Sequence, residues 1–353
     1  MVGSPQVASA EPSVAILPLS FSVREFRGPT TRVAAVAPSL AALRPDASLK
    51  DQPLVIVWGE GGGAALTLAA GAVRVVQLGP GAADLTTAET GRNAIPSSRV
   101  EAAGPITASL TEPTRDYRHE ALGASIHAKS ISITEKRPVQ MSSGPQPVPT
   151  EVSRVEAGPG AVFEDREPRL AELGREGPPE IVTVKSYADR GSALAVIGRR
   201  EGTWRVLAET PPLGQAQSWL NPAAIADFLG TGHPQIALIR TPHADGMLQL
   251  WAFDSDALTL KAEKAGYANH AYGHAAQDLA ATADIDGDGR PELLVPTLDR
   301  RSVAILAMKD GIRELARIAL PARAETGLAA IGQGAALHIL VGLEDGRVAD
   351  IRP

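Results

Sequence analysis

Ala283–Val295 reads ADIDGDGRPELLV: aspartates at alternate positions 284, 286 and 288, glycines at 287 and 289, and Glu292 just before an apolar run. Hard cations such as calcium take several oxygen ligands at ~2.3–2.6 Å, so carboxylates at positions one, three and five of a tight turn can converge on one ion. The backbone carbonyl of Arg290 and the carboxylate of Glu292 complete a candidate metal set of Asp284, Asp286, Asp288, Arg290 and Glu292. Gly287 and Gly289 supply the left-handed backbone angles that such a turn needs. An EF-hand begins in the same way but requires a bidentate Glu at position twelve, on a helix that leaves the loop. Here position twelve is Val295, inside the proline-containing run LLVPTL, so the motif is a loop followed by a strand.

The loop has two gapless relatives upstream, Ala226–Gln235 (ADFLGTGHPQ) and Ala171–Glu180 (AELGREGPPE). Their first loop positions, Glu172, Asp227 and Asp284, are separated by 55 and 57 residues. Each loop leads into an apolar run of strand length, IVTVK, IALIR or LLVPT, and then into two alternating segments joined by a short polar turn. That is hairpin chemistry. A unit of roughly 40–50 residues that makes one four-stranded sheet cannot bury both faces alone, so such units stack.

The repeats are clear over 165–320 and degenerate before 150 and after 325. Pro53–Leu78 offers three short strands, Pro105–Thr134 three more, and Gly327–Arg352 three strands without the acidic loop. The expected fold is an all-β propeller of six or seven four-stranded blades over 11–353. The early strand Ser13–Phe21 (SVAILPLSF) would complete the last blade and close the ring, removing a sheet edge. Lys136–Pro149 reads as a proline-rich connector.

Composition agrees. The chain has 353 residues, 44% hydrophobic but only 4% aromatic, with 34 Gly and 28 Pro, which suits short strands and turns rather than helices. Net charge is −6 without a basic run, which argues against a nucleic-acid partner. The absence of cysteine excludes disulfides and thiol-ligated metals. No apolar run approaches the ~18–20 residues of a membrane span. Ala8-Ser9-Ala10 before Glu11-Pro12 resembles the end of a secretory signal. Residues 1–10 are therefore expected to be the residual end of a signal peptide or a disordered tail. The protein would then be periplasmic or secreted, the alternative being a cytoplasmic one.

A-D-x-D-G-D-G-x-x-E followed by an apolar strand resembles the FG-GAP/VCBS-type repeat, found in integrin α-subunit propellers and in many bacterial secreted proteins. The segments TEPTRDYRHEALGASI, AVFEDREPRLAEL, WLNPAAIADF and GYANHAYG resemble an uncharacterised bacterial, exported group of such proteins. The resemblance implies a propeller with calcium between strands of a blade, and no particular activity. Only the third repeat keeps the full ligand set. The second retains Asp227 but has Leu229, Thr231 and Gln235, so no ion is expected there. The first has Glu172, Gly174, Glu176 and Glu180 and lacks one carboxylate. Calcium in the third loop would be structural, with a dissociation constant of ~10⁻⁴–10⁻³ M as in extracellular modules.

Other chemistry concentrates between blades. His243, Asn269 and His270, with Trp219 and Asn221, form a candidate ligand pocket, since loops joining blades converge around a propeller's channel. His243, His270 and His274 would also suit a transition metal, although without a zinc-protease spacing. Tyr117, Arg118 and His119 either anchor a loop or bind sugar. Gly59–Gly63 lacks the Lys-Ser/Thr of a phosphate loop, and no G-x-S-x-G elbow occurs. The expected function is a monomeric, non-catalytic, calcium-stabilised module that binds or scaffolds protein or glycan at the cell envelope. The alternative is a carbohydrate lyase or hydrolase that uses the polar inter-blade residues.

Overall fold

The computed structural model describes residues 11–39, 43, 52–138, 147–174 and 177–353. The signal-like residues 1–10, most of the proline-rich connector and Glu176 of the first loop lie outside them. The described chain is all-β. Strand β1 spans Ser13–Ile16, and β2 (Glu25–Arg27), β3 (Val55–Gly59), β4 (Gly62–Ala69) and β5 (Ala72–Gln77) form one four-stranded antiparallel sheet. A short helix α1 (Arg32–Val36), capped by the Thr31 hydroxyl, and a 3₁₀ segment Pro80–Ala88 pack beside that sheet.

The next nine strands form one sheet built from two up-and-down units. The first is β6 (Glu101–Ala103), β7 (Ile106–Thr114), β8 (His127–Lys136) and β9 (Thr150–Glu156). Strand β10 (Ala161–Phe163) pairs with β8 and also with the second unit, which is β11 (Arg169–Ala171), β12 (Glu180–Tyr187), β13 (Gly191–Arg200) and β14 (Thr203–Glu209). Within Pro105–Thr134 the structure has the two long strands β7 and β8 where three short ones were expected. The polar run 115–126 is the turn between them, and the third inner strand, β6, lies upstream.

Two further four-stranded sheets follow. One contains β15 (Leu220–Ala226), β16 (Gln235–Arg240), β17 (Met247–Asp254) and β18 (Ala257–Ala265). The other contains β19 (Ala281–Ala283), β20 (Glu292–Pro296), β21 (Ser302–Ala307) and β22 (Arg313–Ala319). The last sheet holds β23 (Ala324–Ile331), β24 (His338–Leu343) and β25 (Val348–Arg352), and its fourth strand is β1. Ser13 pairs with Arg352 and Ile16 with Ala349, antiparallel, so the N-terminal segment does complete the C-terminal sheet, over four residues.

Burial follows strand position. The second and third strands of the units carry the continuous apolar runs and are buried on both faces, as in β12, β20 and β24. Fourth strands such as β5 and β18 alternate or lie exposed. This is how sheets stacked face to face should read. Neighbouring sheets share apolar clusters: Leu250 and Ile239 pack with Leu293 and Leu306, Leu294 and Ile305 with Leu328 and Val341, and Ala329 and Leu340 with Val55 and Leu66. Each fully buried large aliphatic side chain contributes about 1.5–3 kcal/mol relative to exposure. First strands touch one another, β2 with β23, β23 with β19, β19 with β15, and β11 with β6.

Candidate functional site

Strand direction sorts the loops into two sets. In an up-and-down unit, the turn after the first strand lies at one end. The turn after the second strand and the link to the next unit lie at the other. The acidic loops belong to the first set and the histidines to the second.

The 284–292 loop is built on its own backbone. Asp284 accepts from the amides of Gly287 (2.8 Å) and Gly289 (3.0 Å), and both glycines have the positive φ that the turn requires, 75° and 83°. Glu292 is buried and accepts from the Ile285 amide at 2.8 Å. One carboxylate oxygen each from Asp284, Asp286 and Glu292 lies within 4.8 Å of the others, a group that could hold a metal ion. Burial, followed by the repulsion of Asp286, Asp288 and Asp284, pushes the Glu292 carboxyl above its ordinary range. Asp288 stands apart from the expected set. It accepts from the Arg290 amide at 2.9 Å and pairs with the Arg290 guanidinium. A recess of about 210 Å³, lined by Asp286, Asp288, Arg290 and Glu292, opens beside the loop.

The 227–235 loop has the same frame. Asp227 accepts from Thr231 (2.9 Å) and Gly232 (2.7 Å), and Gln235 Oε1 accepts from the Leu229 amide at 2.9 Å. Gln235 Nε2 donates to Thr231 Oγ1 at 3.1 Å and to the His233 carbonyl. In the first loop, buried Glu180 accepts from the Leu173 and Gly174 amides at 3.1 and 3.0 Å, and its second oxygen meets Arg200 at 3.2 Å.

At the opposite end the sequence-selected residues do converge. His243 Nε2 lies 2.9 Å from His270 Nδ1, and His270 Nε2 lies 2.9 Å from the His274 carbonyl. Trp219 stacks on His243 with ring centroids 6.0 Å apart and meets His270 edge-on at 4.8 Å. Asn221 and Asn269 clasp each other's backbone. Each side-chain amide donates to the other's carbonyl at 3.2 Å, and Gln277 donates to Asn221 Oδ1 at 2.8 Å. This buried pair ties the start of β15 to the loop before β19 rather than lining a pocket. His270 engages both ring nitrogens, so the three-histidine metal set is not formed. His243 is exposed as a residue, but desolvation of its ring against its neighbours, with Arg300 and His119 nearby, lowers its pKa to about 4. Burial and His243 hold His270 well below its usual value.

His119 joins this end through residues that sequence reasoning missed. Its Nδ1 lies 2.6 Å from Glu164 Oε1, the other oxygen of Glu164 takes the Ser186 hydroxyl at 2.6 Å, and Glu164 is fully buried. Tyr117 is buried edge-on to His119 and to His127, while Arg118 is exposed. The exposed ring of Tyr272 lies 5.2 Å from His243 and 6.5 Å from His119. The available signal was the run Glu164-Asp165-Arg166-Glu167, four charges between two apolar stretches.

Beside it runs a buried ionic chain. Arg27 pairs with Glu89 (3.0 Å), Arg99 with Glu167 (3.3 Å) and with Asp278 (2.7 Å), and Arg169 with Asp165 (3.0 Å). Burial and neighbouring Glu167 push the Glu101 carboxyl up to about 8. A cavity of about 410 Å³ opens here, lined by Trp58, Arg27, Glu89 and Arg99 among others. Within Gly59–Gly63, Gly59 ends β3, Gly62 and Gly63 begin β4, and Glu60-Gly61 is the tight turn between them.

Among the described residues no helix is long and apolar enough to cross a membrane. Compared with models of known protein families and with curated proteins, the chain matches none.

Proposed function

We propose that the chain is a six-bladed β-propeller, pinned by calcium at one loop, that acts as a binding or scaffolding module for protein or glycan at the cell envelope. The observation that carries the ring is the pairing of β1 with β25, together with the chain of contacts between first strands. The nine-stranded sheet then counts as two blades, β6–β9 and β11–β14, bridged by β10. A ring closed by its own N-terminal strand hides two sheet edges and needs no second copy to do so.

Calcium in the 284–292 loop is supported by three carboxylates held together without a cation among them, whereas the related loops set Arg200 or the Gln235 amide at the corresponding place. The ligand end is then the histidine end. Binding is favoured over catalysis because its charged groups are matched internally and its asparagines serve the backbone. The Glu164–His119 contact favours a second reading, a proton-transferring enzyme acting on carbohydrate. The exported address rests on the signal-like residues before Glu11 and on the repeat resemblance.

Deleting residues 11–16 tests the ring. Loss of a cooperative unfolding transition is expected, and an unchanged transition would refute closure by β1. Thermal unfolding of EGTA-stripped protein with and without calcium tests the loop, where no gain on adding calcium sinks the calcium reading. A screen of the calcium-loaded protein against a glycan panel, reading both stabilisation and product formation, separates binder from enzyme.

A further inference from the structure

Proton inventory decides which ring nitrogens of the histidine end are left over. A carbonyl only accepts, so His270 Nε2, facing the His274 carbonyl, carries the hydrogen. Neutral His270 therefore presents a lone pair at Nδ1, and that lone pair must accept from His243 Nε2–H. His243 is left with its Nδ1 lone pair. The Glu164 carboxylate, which accepts the Ser186 hydroxyl on its other oxygen, takes the hydrogen of His119 Nδ1, so Nε2 is the nitrogen of His119 left for a ligand.

The two nitrogens of an imidazole point in nearly opposite directions. Both occupied nitrogens are turned to buried partners, Glu164 and His270, and neither His119 Nε2 nor His243 Nδ1 has a hydrogen-bond partner among the described residues. Between the rings stands Tyr272, 57% exposed and edge-on to each. The supporting loops are locked together: the Gly273 amide donates to the Ala121 carbonyl at 2.9 Å, and Gln217 donates to the Arg118 carbonyl at 2.9 Å. A Cβ on Gly123 would meet the Gly273 carbonyl oxygen at 3.0 Å, so the approach depends on glycine.

We propose that His119, His243 and Tyr272 form a saccharide subsite, in which ligand hydroxyls donate to His243 Nδ1 and hydrogen-bond with His119 Nε2, and a sugar ring lies on the Tyr272 face. The His243 lone pair requires a ligand that brings a donor, which an anion lacks, and an apolar ring would leave that lone pair desolvated and unpaired. A pyranose has both a hydroxyl edge and a C–H face for the exposed aromatic ring. The low pKa of His243 keeps its lone pair available at neutral pH.

This proposal rests on the reading that the histidine end is the ligand end. The test is ¹⁵N-histidine NMR on the full, calcium-loaded chain, titrated with the methyl glycosides of glucose, galactose, mannose and N-acetylglucosamine. The expected result is a hydrogen on His119 Nδ1, His243 as the Nε2–H tautomer, and at least one glycoside that shifts both. Tyr272→Ala, at an exposed position, should weaken that glycoside by about tenfold and leave the calcium response of the acidic loop unchanged. The opposite tautomer at either ring, no shift with any glycoside, or unaltered binding by Y272A overturns the subsite. A glycoside that stabilises the protein without moving these resonances also overturns it, while leaving the binding-module reading standing.

Discussion

Loops 227–235 and 284–292 share one frame and differ in what fills it. In both, the first-position aspartate accepts two backbone amides, and a buried side chain at position nine accepts a third. They differ at positions three, five and nine, with Leu229, Thr231 and Gln235 set against Asp286, Asp288 and Glu292, and position nine decides how each loop closes. Gln235 has an amide whose hydrogens reach Thr231 Oγ1 and the His233 carbonyl, so the loop is complete in itself. Glu292 has no hydrogen to give and faces Asp284 and Asp286. Like charges so close resist joint ionisation unless something positive sits among them. The turn geometry therefore belongs to the backbone bonds, and calcium, on our reading, compensates charge in one copy alone. Gly230 of one loop abuts the Arg290 side chain of the other, so the two can be compared at adjacent positions of one surface.

The sharpest way to break this comparison is Gln235→Glu. It removes two donors and sets a buried carboxylate against a carbonyl oxygen, for an expected loss of about 3 kcal/mol in urea unfolding without calcium. A loss below a few tenths would mean that the Gln235 amide does not hold the loop. Next comes calcium itself. At a tenfold to hundredfold excess over a dissociation constant of ~10⁻⁴–10⁻³ M, the wild type should gain about 1.4–2.7 kcal/mol. Glu292→Gln turns the third loop toward the second. The calcium gain should vanish, and the calcium-free protein should become about 1 kcal/mol more stable than wild type. If E292Q destabilises the calcium-free protein, the charge argument fails.

How much of this was legible in the sequence depends on range. IALIR and LLVPT announced strands buried on both faces, and the loop spacing announced repeating units, because strand periodicity and turn chemistry are local. The Gln/Glu difference at position nine was visible, but not its meaning, since the partners of Gln235 Nε2 depend on the folded turn. The histidine end was half legible. His243 and His270 do meet, with Trp219 against both, but two asparagines that looked available prove to clasp the backbone. Glu164 lies 45 residues from His119, and Asp278 lies 179 from Arg99, and no local pattern encodes such pairings. Asp288 fitted the motif by spacing, yet it is drawn to Arg290 two residues on.

The smallest expected effect concerns the frame that both loops share. Burial alone would raise the Asp227 pKa, but the amides of Thr231 and Gly232 hold it below the ordinary aspartate range. A depressed folded pKa stabilises the fold above the unfolded value of about 3.9, and that contribution is lost as pH falls through the folded value. Asp227→Asn keeps one acceptor and loses the charge. It should therefore cost less than about 1 kcal/mol at neutral pH, because the site is partly open to solvent. The deficit relative to wild type should shrink as the pH drops below about 4, where Asp227 of the unfolded chain takes up a proton that the folded one still resists, and vanish below the folded value. Parallel denaturation curves of D227N and wild type from neutral pH down to acid would measure it. A deficit that stays constant through acid would mean that the amides recognise the shape of the side chain rather than its charge. The frame would then be indifferent to the electrostatics that distinguish one loop from the other.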